Sequence, residues 1–130
     1  MKSEMTINNT TVELVSNALT PILYRQIFKK DFLKEMSGLT ALKGKKAEDF
    51  TEDDLEFFAT RQDAIPRLAF VMAKQAETKD VKVLVELSLI DYYCWLSDYE
   101  TQAFMDSGVI GKVIGLWAGN ANDSHIESKN

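Results

Sequence analysis

The stretch Ile65-Pro-Arg-Leu-Ala-Phe-Val-Met-Ala-Lys-Gln-Ala76 decides how the rest of the chain is read. Ile65, Leu68, Ala69, Met72, Ala73 and Ala76 recur at three- and four-residue spacing, which places them on one face of a helix. Phe70 and Val71 lie off that face and are apolar too. A helix that is apolar nearly all round is buried by neighbours on several sides. The pattern therefore predicts a central helix, running to about Glu77, with the other elements packed against it. Pro66 removes a backbone donor and restricts Ile65, so the helix either kinks there or restarts with Asp63 as its cap.

Downstream, Asp80 can cap a helix of about 16 residues, a length that favours helix over the strand that the β-branched run Val81 to Val85 would also allow. Val83, Leu84, Leu87, Ile90, Cys94 and Trp95 keep helical spacing there, with Asp91 the one polar member of the row. Ser97 to Glu100 forms a polar corner. A last helical region covers Thr101 to Trp117, with Phe104, Met105, Val109, Ile110, Val113, Ile114 and Trp117 as its apolar side. Gly108, Gly111 and Gly115 weaken it, and Asp106 or Ser107 can restart it.

Upstream, Thr20-Pro21 combines a capping hydroxyl with proline at the first helical position. Asp31 can cap a second, short helix reaching Met36, with Phe32, Leu33 and Met36 on its apolar side. From Ser37 to Asp49 the pattern fades into an exposed loop. Thr51 and Asp54 then form a capping box ahead of a helix containing Leu55, Phe57, Phe58 and Ala59. The N-terminal segment alternates instead. With Asn8-Asn9 as a two-residue turn, Met5 faces Val12 and Ile7 faces Thr10, a short β-hairpin at about residues 4–15. An isolated hairpin is marginal in water, so it lies on the helices or pairs with another chain.

The chain has 130 residues, of which 45% are hydrophobic. That suits a mainly α protein: a compact bundle of about five helices with the N-terminal hairpin, spanning residues 1–118, and a flexible polar tail over 119–130. The net charge of −5 argues against a nucleic-acid partner. No apolar run approaches the ~20 residues of a membrane span. With no secretory leader in view, a cytoplasmic location is expected. Charge is segregated: seven basic residues lie between Arg25 and Lys46, and seven acidic ones between Glu48 and Asp63. Such blocks can pair within one molecule or between copies as self-association, although two solvated surfaces is the plainer reading.

Little here points to catalysis. His125, the only histidine, falls in the tail, and Cys94, the only thiol, lies in an apolar helix. No Cys/His cluster has metal-ligand spacing, and no cofactor motif is present. Glu52, Asp53 and Asp54 lack the alternation of a calcium loop and fit the start of a helix better. A non-enzymatic protein is expected. The aromatic residues carry more information. Tyr92, Tyr93, Trp95 and Tyr99 crowd one corner, with Trp117 near the end and Tyr24, Phe28 and Phe32 earlier in the chain. They serve either as core with an amphipathic edge or as a patch that grips a partner.

Four segments in order resemble the tail assembly chaperones of long-tailed, siphovirus-type bacteriophages of Gram-positive hosts. Ile7-Asn-Asn-Thr-Thr-Val-Glu-Leu14 is similar to that family's hairpin, where Asn-Gly is usual. Tyr24-Arg-Gln-Ile-Phe-Lys-Lys-Asp-Phe-Leu33 resembles its tyrosine-to-Phe-Gly-x-Asp-Phe segment, with Lys29 in place of the glycine. Arg67-Leu-Ala-Phe-Val-Met-Ala-Lys74 is close to its Arg-Leu-Ala-aromatic-x-Met-Ala-Lys helix. Trp95-Leu-Ser-Asp-Tyr-Glu100 and Val113-Ile-Gly-Leu-Trp-Ala-Gly-Asn120 resemble its Trp-Leu corner and closing Ile-x-Leu-Trp-Gly-Leu-Asn. The departures are Lys29, Gly115 and Ala118-Gly119.

The resemblance implies a non-enzymatic role in virion assembly in the host bacterial cytoplasm. Such proteins bind the apolar, helical tape measure protein, keep it soluble and help bring tail-tube protein subunits to it. The chain would be the short form of a pair related by ribosomal frameshifting. The partner contacts expected on this basis are Tyr24, Phe28, Phe32, Tyr92, Tyr93, Trp95, Tyr99 and Trp117. An acidic helical regulatory or adaptor protein that binds a host or phage protein is the alternative from another class.

Overall fold

A computed structural model describes residues 2–7, 9–36, 49–54, 56, 62–106 and 108–117. The loop expected from Ser37, the helix expected around Leu55 and Phe57 to Ala59, Ser107, and the tail with His125 lie outside these residues. The chain is mostly helical, with a two-stranded antiparallel hairpin at its N-terminal end.

The hairpin pairs β1 (Lys2–Ile7) with β2 (Thr10–Val15), and its register sets Met5 against Val12 and Ile7 against Thr10 as the alternation predicts. Asn9 adopts a φ of 67°, which asparagine tolerates better than most residues. Period-two alternation puts Met5, Ile7 and Leu14 underneath and leaves Glu4, Thr6 and Glu13 in solvent. The buried face settles on the central helix, which supplies the covering that a lone hairpin needs.

That central helix is α3 (Ala64–Glu77). Ile65 and every residue from Leu68 to Ala73 are buried, and β2, α1 (Thr20–Phe28) and the later helix α5 (Leu89–Leu96) all pack on it. Each fully buried large apolar side chain here contributes about 1.5–3 kcal/mol of transfer free energy. Pro66 sits in the first turn, where its missing donor is tolerated, so the helix starts at Ala64 rather than kinking. Asp63 holds the position before the helix but makes no side-chain cap bond.

Thr20 differs from the expected cap. It lies inside α1 and is fully buried, with Pro21 beside it in the first turn. Its hydroxyl accepts from the Asn17 amide at 3.0 Å and donates to Gln75 Oε1 at 2.6 Å. Gln75 Nε2 in turn donates to Asn17 Oδ1 at 2.9 Å. This ring of bonds ties the start of α1 to the end of α3 and satisfies the buried glutamine. The reach of a buried partner, which local sequence does not show, overrides the local capping preference.

Asp31 caps α2 (Phe32–Met36) by accepting from the Lys34 amide at 3.2 Å. Phe32 is buried, but Leu33 is 70% exposed, so the apolar side of this short helix is narrower than its sequence suggests. The Thr51–Asp54 capping box is present, each side chain accepting the other's backbone amide at 3.1 Å, with helix at 52–54.

The expected single helix from Asp80 is two. Asp80 caps α4 (Val81–Val85) by accepting from the Lys82 amide, and α5 then begins afresh. Ser88, in an extended conformation, closes a capping box with Asp91: the Asp91 amide donates to Ser88 Oγ, and the Ser88 amide donates to Asp91 Oδ2. A side chain that satisfies helix-start amides competes with continuation of the preceding helix. The last region divides likewise. A 3-10 turn at Ala103–Met105 precedes a helix over 108–117, termed α6, which Asp106 caps through the Gly108 and Val109 amides. Gly111 faces open space rather than a close helix contact. With these restarts the described helical segments outnumber the expected five.

Candidate protein-binding surface

The eight aromatic residues singled out in the sequence converge through one continuous set of ring contacts. Trp117 meets Phe32 edge-on at 5.3 Å between centroids, Phe32 meets Tyr24 at 5.2 Å, and Tyr24 meets Phe28 at 5.1 Å. Phe28 reaches Tyr92 at 4.9 Å, and Tyr92 reaches Tyr93 at 5.6 Å. Phe70 of α3 joins this row to a second one, Trp95, Tyr99 and Phe104. Most contacts are tilted or edge-on, the arrangement that ring quadrupoles favour.

The network runs from core to surface. Tyr24, Phe28, Phe32 and Tyr92 are buried, so they reach a partner only through the side chains that they support. Trp95, Tyr99 and Trp117 are half-buried, and Tyr93 is 58% exposed. Phe70 and Phe104 complete the network and were not among the eight.

A polar cluster lies under the rings. The Tyr24 hydroxyl donates a short hydrogen bond to Glu35 Oε1, and Arg67 Nη1 reaches the same oxygen at 3.3 Å. The guanidinium also lies over the Phe28 ring, 5.8 Å from its centroid. Burial pushes the Tyr24 phenol far above its ordinary pKa, and the bond and charge of Glu35 push it the same way. Burial works against the Arg67 charge, but its interactions with Tyr24, Glu35 and Asp63 outweigh that and raise its pKa. Burial likewise pushes the Tyr92 phenol up to about 12. The two phenols are thereby held protonated and the guanidinium charged near neutrality.

Most of the large apolar side chains left in solvent lie on α4 and α5, with Ile22, Leu33 and Met105 elsewhere. Val81, Val83, Val85, Leu89, Ile90 and Tyr93 are exposed, whereas Leu84 and Tyr92 alone are buried in the two helices. The restart at Ser88 explains this, because it breaks the phase of the expected Val83-to-Trp95 row. Leu84 points inward in α4, Tyr92 takes that role in α5, and Ile90 is left 71% exposed. Ser88 with Asp91 three residues on was the sequence signal for the break.

An open groove borders this surface. Leu89, Tyr92, Tyr93 and Leu96 form its α5 side, with Phe28 at its base. Lys30, Asp63 and Arg67 supply its charges. Leu89, Ile90, Lys30 and Arg67 were not among the expected contact residues. Cys94 is a free, exposed thiol. Among the described residues no group of three His, Cys, Asp or Glu side chains is placed to hold a metal, and no helix is long and apolar enough to cross a membrane. The geometry offers an exposed apolar surface backed by buried rings. Comparison with known protein families, with curated proteins and with solved structures finds no match to this chain.

Proposed function

We propose that this chain is a phage tail assembly chaperone that binds and solubilises a tape measure protein and helps recruit tail-tube subunits, acting in the host bacterial cytoplasm. The observation that carries the reading joins sequence to backbone. Asn9 and Lys29 are the two non-glycine residues with positive φ among the described residues, at 67° and 56°. Asn9 stands where the resembled hairpin has the glycine of Asn-Gly, and Lys29 stands where its aromatic segment has glycine. Glycine is the residue that left-handed backbone normally selects. Asn9 and the departure Lys29 therefore both fall at positions where left-handed backbone has a physical use for the glycine usual in that family.

The surface is compatible with the role. A tape measure helix with bare apolar stripes aggregates unless covered. The exposed α4–α5 side chains can cover such a stripe, and the net charge of −5 helps keep the complex dissolved. The test is co-expression with the tape measure protein of the same phage genome. The expected result is a soluble complex that co-purifies. A tape measure protein that still aggregates and leaves the chain unbound would sink the proposal. Gene position separates it from the acidic regulator: a gene between those for tail tube and tape measure supports the chaperone, and one in a regulatory cluster supports the regulator.

A further inference from the structure

We infer that the groove between the C-terminal end of α1 and helix α5 docks an apolar helical segment of another protein that carries a carboxylate beside its apolar stripe. The inference names a contact surface for the role proposed above, and rests on that reading's claim that the chain holds another polypeptide.

Three observations lead to this occupant. The wall is apolar and unpartnered: Leu89 and Tyr93, one helical turn apart on α5, line it and are exposed, and the exposed Ile90 adjoins them. A groove of this kind accepts the ridge of an amphipathic helix. The wall is also backed by the core, because Tyr93 meets Tyr92 in a tilted contact, and Tyr92 packs on Phe28 and Phe70. Charge then selects the partner. Lys30, Arg67 and Asp63 are the charged residues that line the groove, and Arg67 is held by Glu35 and Asp63, so Lys30 is the charge left to a partner. Lys30 makes no hydrogen bond or ion pair among the described residues. A carboxylate on the incoming helix would meet Lys30 while its apolar side chains cover Leu89 and Tyr93 and the neighbouring Ile90. A lysine in its place would meet repulsion.

The probes are three synthetic helical peptides that share one leucine stripe, flanked by glutamate, glutamine or lysine. Their binding to the full chain is read by fluorescence anisotropy at low and high salt. The glutamate peptide is expected to bind best, ahead of the glutamine one by about two- to fivefold at low salt, the range of an exposed ion pair. That margin should shrink with salt and vanish in Lys30→Glu. The double variant Ile90→Ser, Tyr93→Ser should weaken all peptides at least tenfold while melting at an unchanged temperature, since both side chains face solvent. Equal binding of glutamate and glutamine peptides, or full binding to the double variant, overturns the inference. So does a concentration-dependent dimer that the double variant abolishes, because the occupant is then a second copy. Co-purification of the tape measure protein with the double variant removes this surface and leaves the chaperone role standing. Peptide selectivity in a chain that fails to capture the tape measure protein removes the role and leaves the surface.

Discussion

Helix α3 and the α4–α5 pair are built from similar material and end in opposite places. The pair is at least as rich in apolar side chains as α3. Yet α3 is buried on nearly every side, whereas Leu84 and Tyr92 are the buried residues of the pair. Apolar content does not decide between core and exposed surface. Continuity separates them: α3 runs unbroken for 14 residues and is packed by β2, α1 and α5, while the restart at Ser88 divides the other stretch into two short helices.

The sharpest way to break this contrast is to truncate one ring on each side of it. Phe70→Ala, in the hub of the aromatic network, should lower stability by about 3–5 kcal/mol. Tyr93→Ala should change it by less than about 0.5 kcal/mol, in the range of surface substitutions. Urea unfolding of both variants measures the difference, and equal losses would mean that the α5 ring is core after all.

Next in size is the tie that holds α1 to the end of α3. Thr20→Val keeps the shape but removes the hydroxyl donor from Gln75 Oε1, leaving a buried acceptor without it. A loss of about 1–3 kcal/mol in the same unfolding experiment is expected. Ser88→Ala deletes half of the capping box and should cost about 1 kcal/mol. It should also reduce peptide binding, since the phase of α5 depends on that restart. Lys29→Gly acts in the other direction. Lys29 closes α1 in the left-handed conformation, so glycine there should raise the melting midpoint, by up to about 1 kcal/mol in stability.

A further effect is a pH dependence, confined to alkaline solution. The Tyr92 phenol is pushed from its ordinary 10 up to about 12 by burial. A group whose pKa is raised by folding stabilises the fold fully below its unfolded value and loses that contribution as pH rises through the folded one. Stability should therefore fall between about pH 10 and 12, and Tyr92→Phe should flatten that decline in thermal melts. The buried Tyr24 contributes with the same sign.

Much of the fold was legible because the relevant forces are local. Alternation about Asn8-Asn9 supplied the register, unbroken spacing supplied α3, and Asp31, Asp80 and the Thr51–Asp54 box marked helix starts by side-chain reach alone. What misled was either a long-range partner or a competing local bond. Thr20 reads as a cap until Gln75, 55 residues away, claims its hydroxyl. The Val83-to-Trp95 row reads as one helix until Ser88 and Asp91 satisfy each other. The aromatic residues were found as a set, but their division into core and rim depends on that same break. Tyr93 faces outward and Tyr92 inward, although they are adjacent in the chain.

Helix α4 is fastened lightly. Leu84 is its anchor in the core, and the bond from Gln26 Nε2 to the Val85 carbonyl ties it to α1 from an exposed position. A segment held by so few contacts has a low free energy of local opening, far below that of α3. The helix that precedes α5 is therefore expected to open independently of the interior, with amide hydrogens along α4 exchanging before those of α3 in a hydrogen-exchange measurement. A bound helix that leans on α4 would slow that exchange, so occupancy is recorded in the backbone itself.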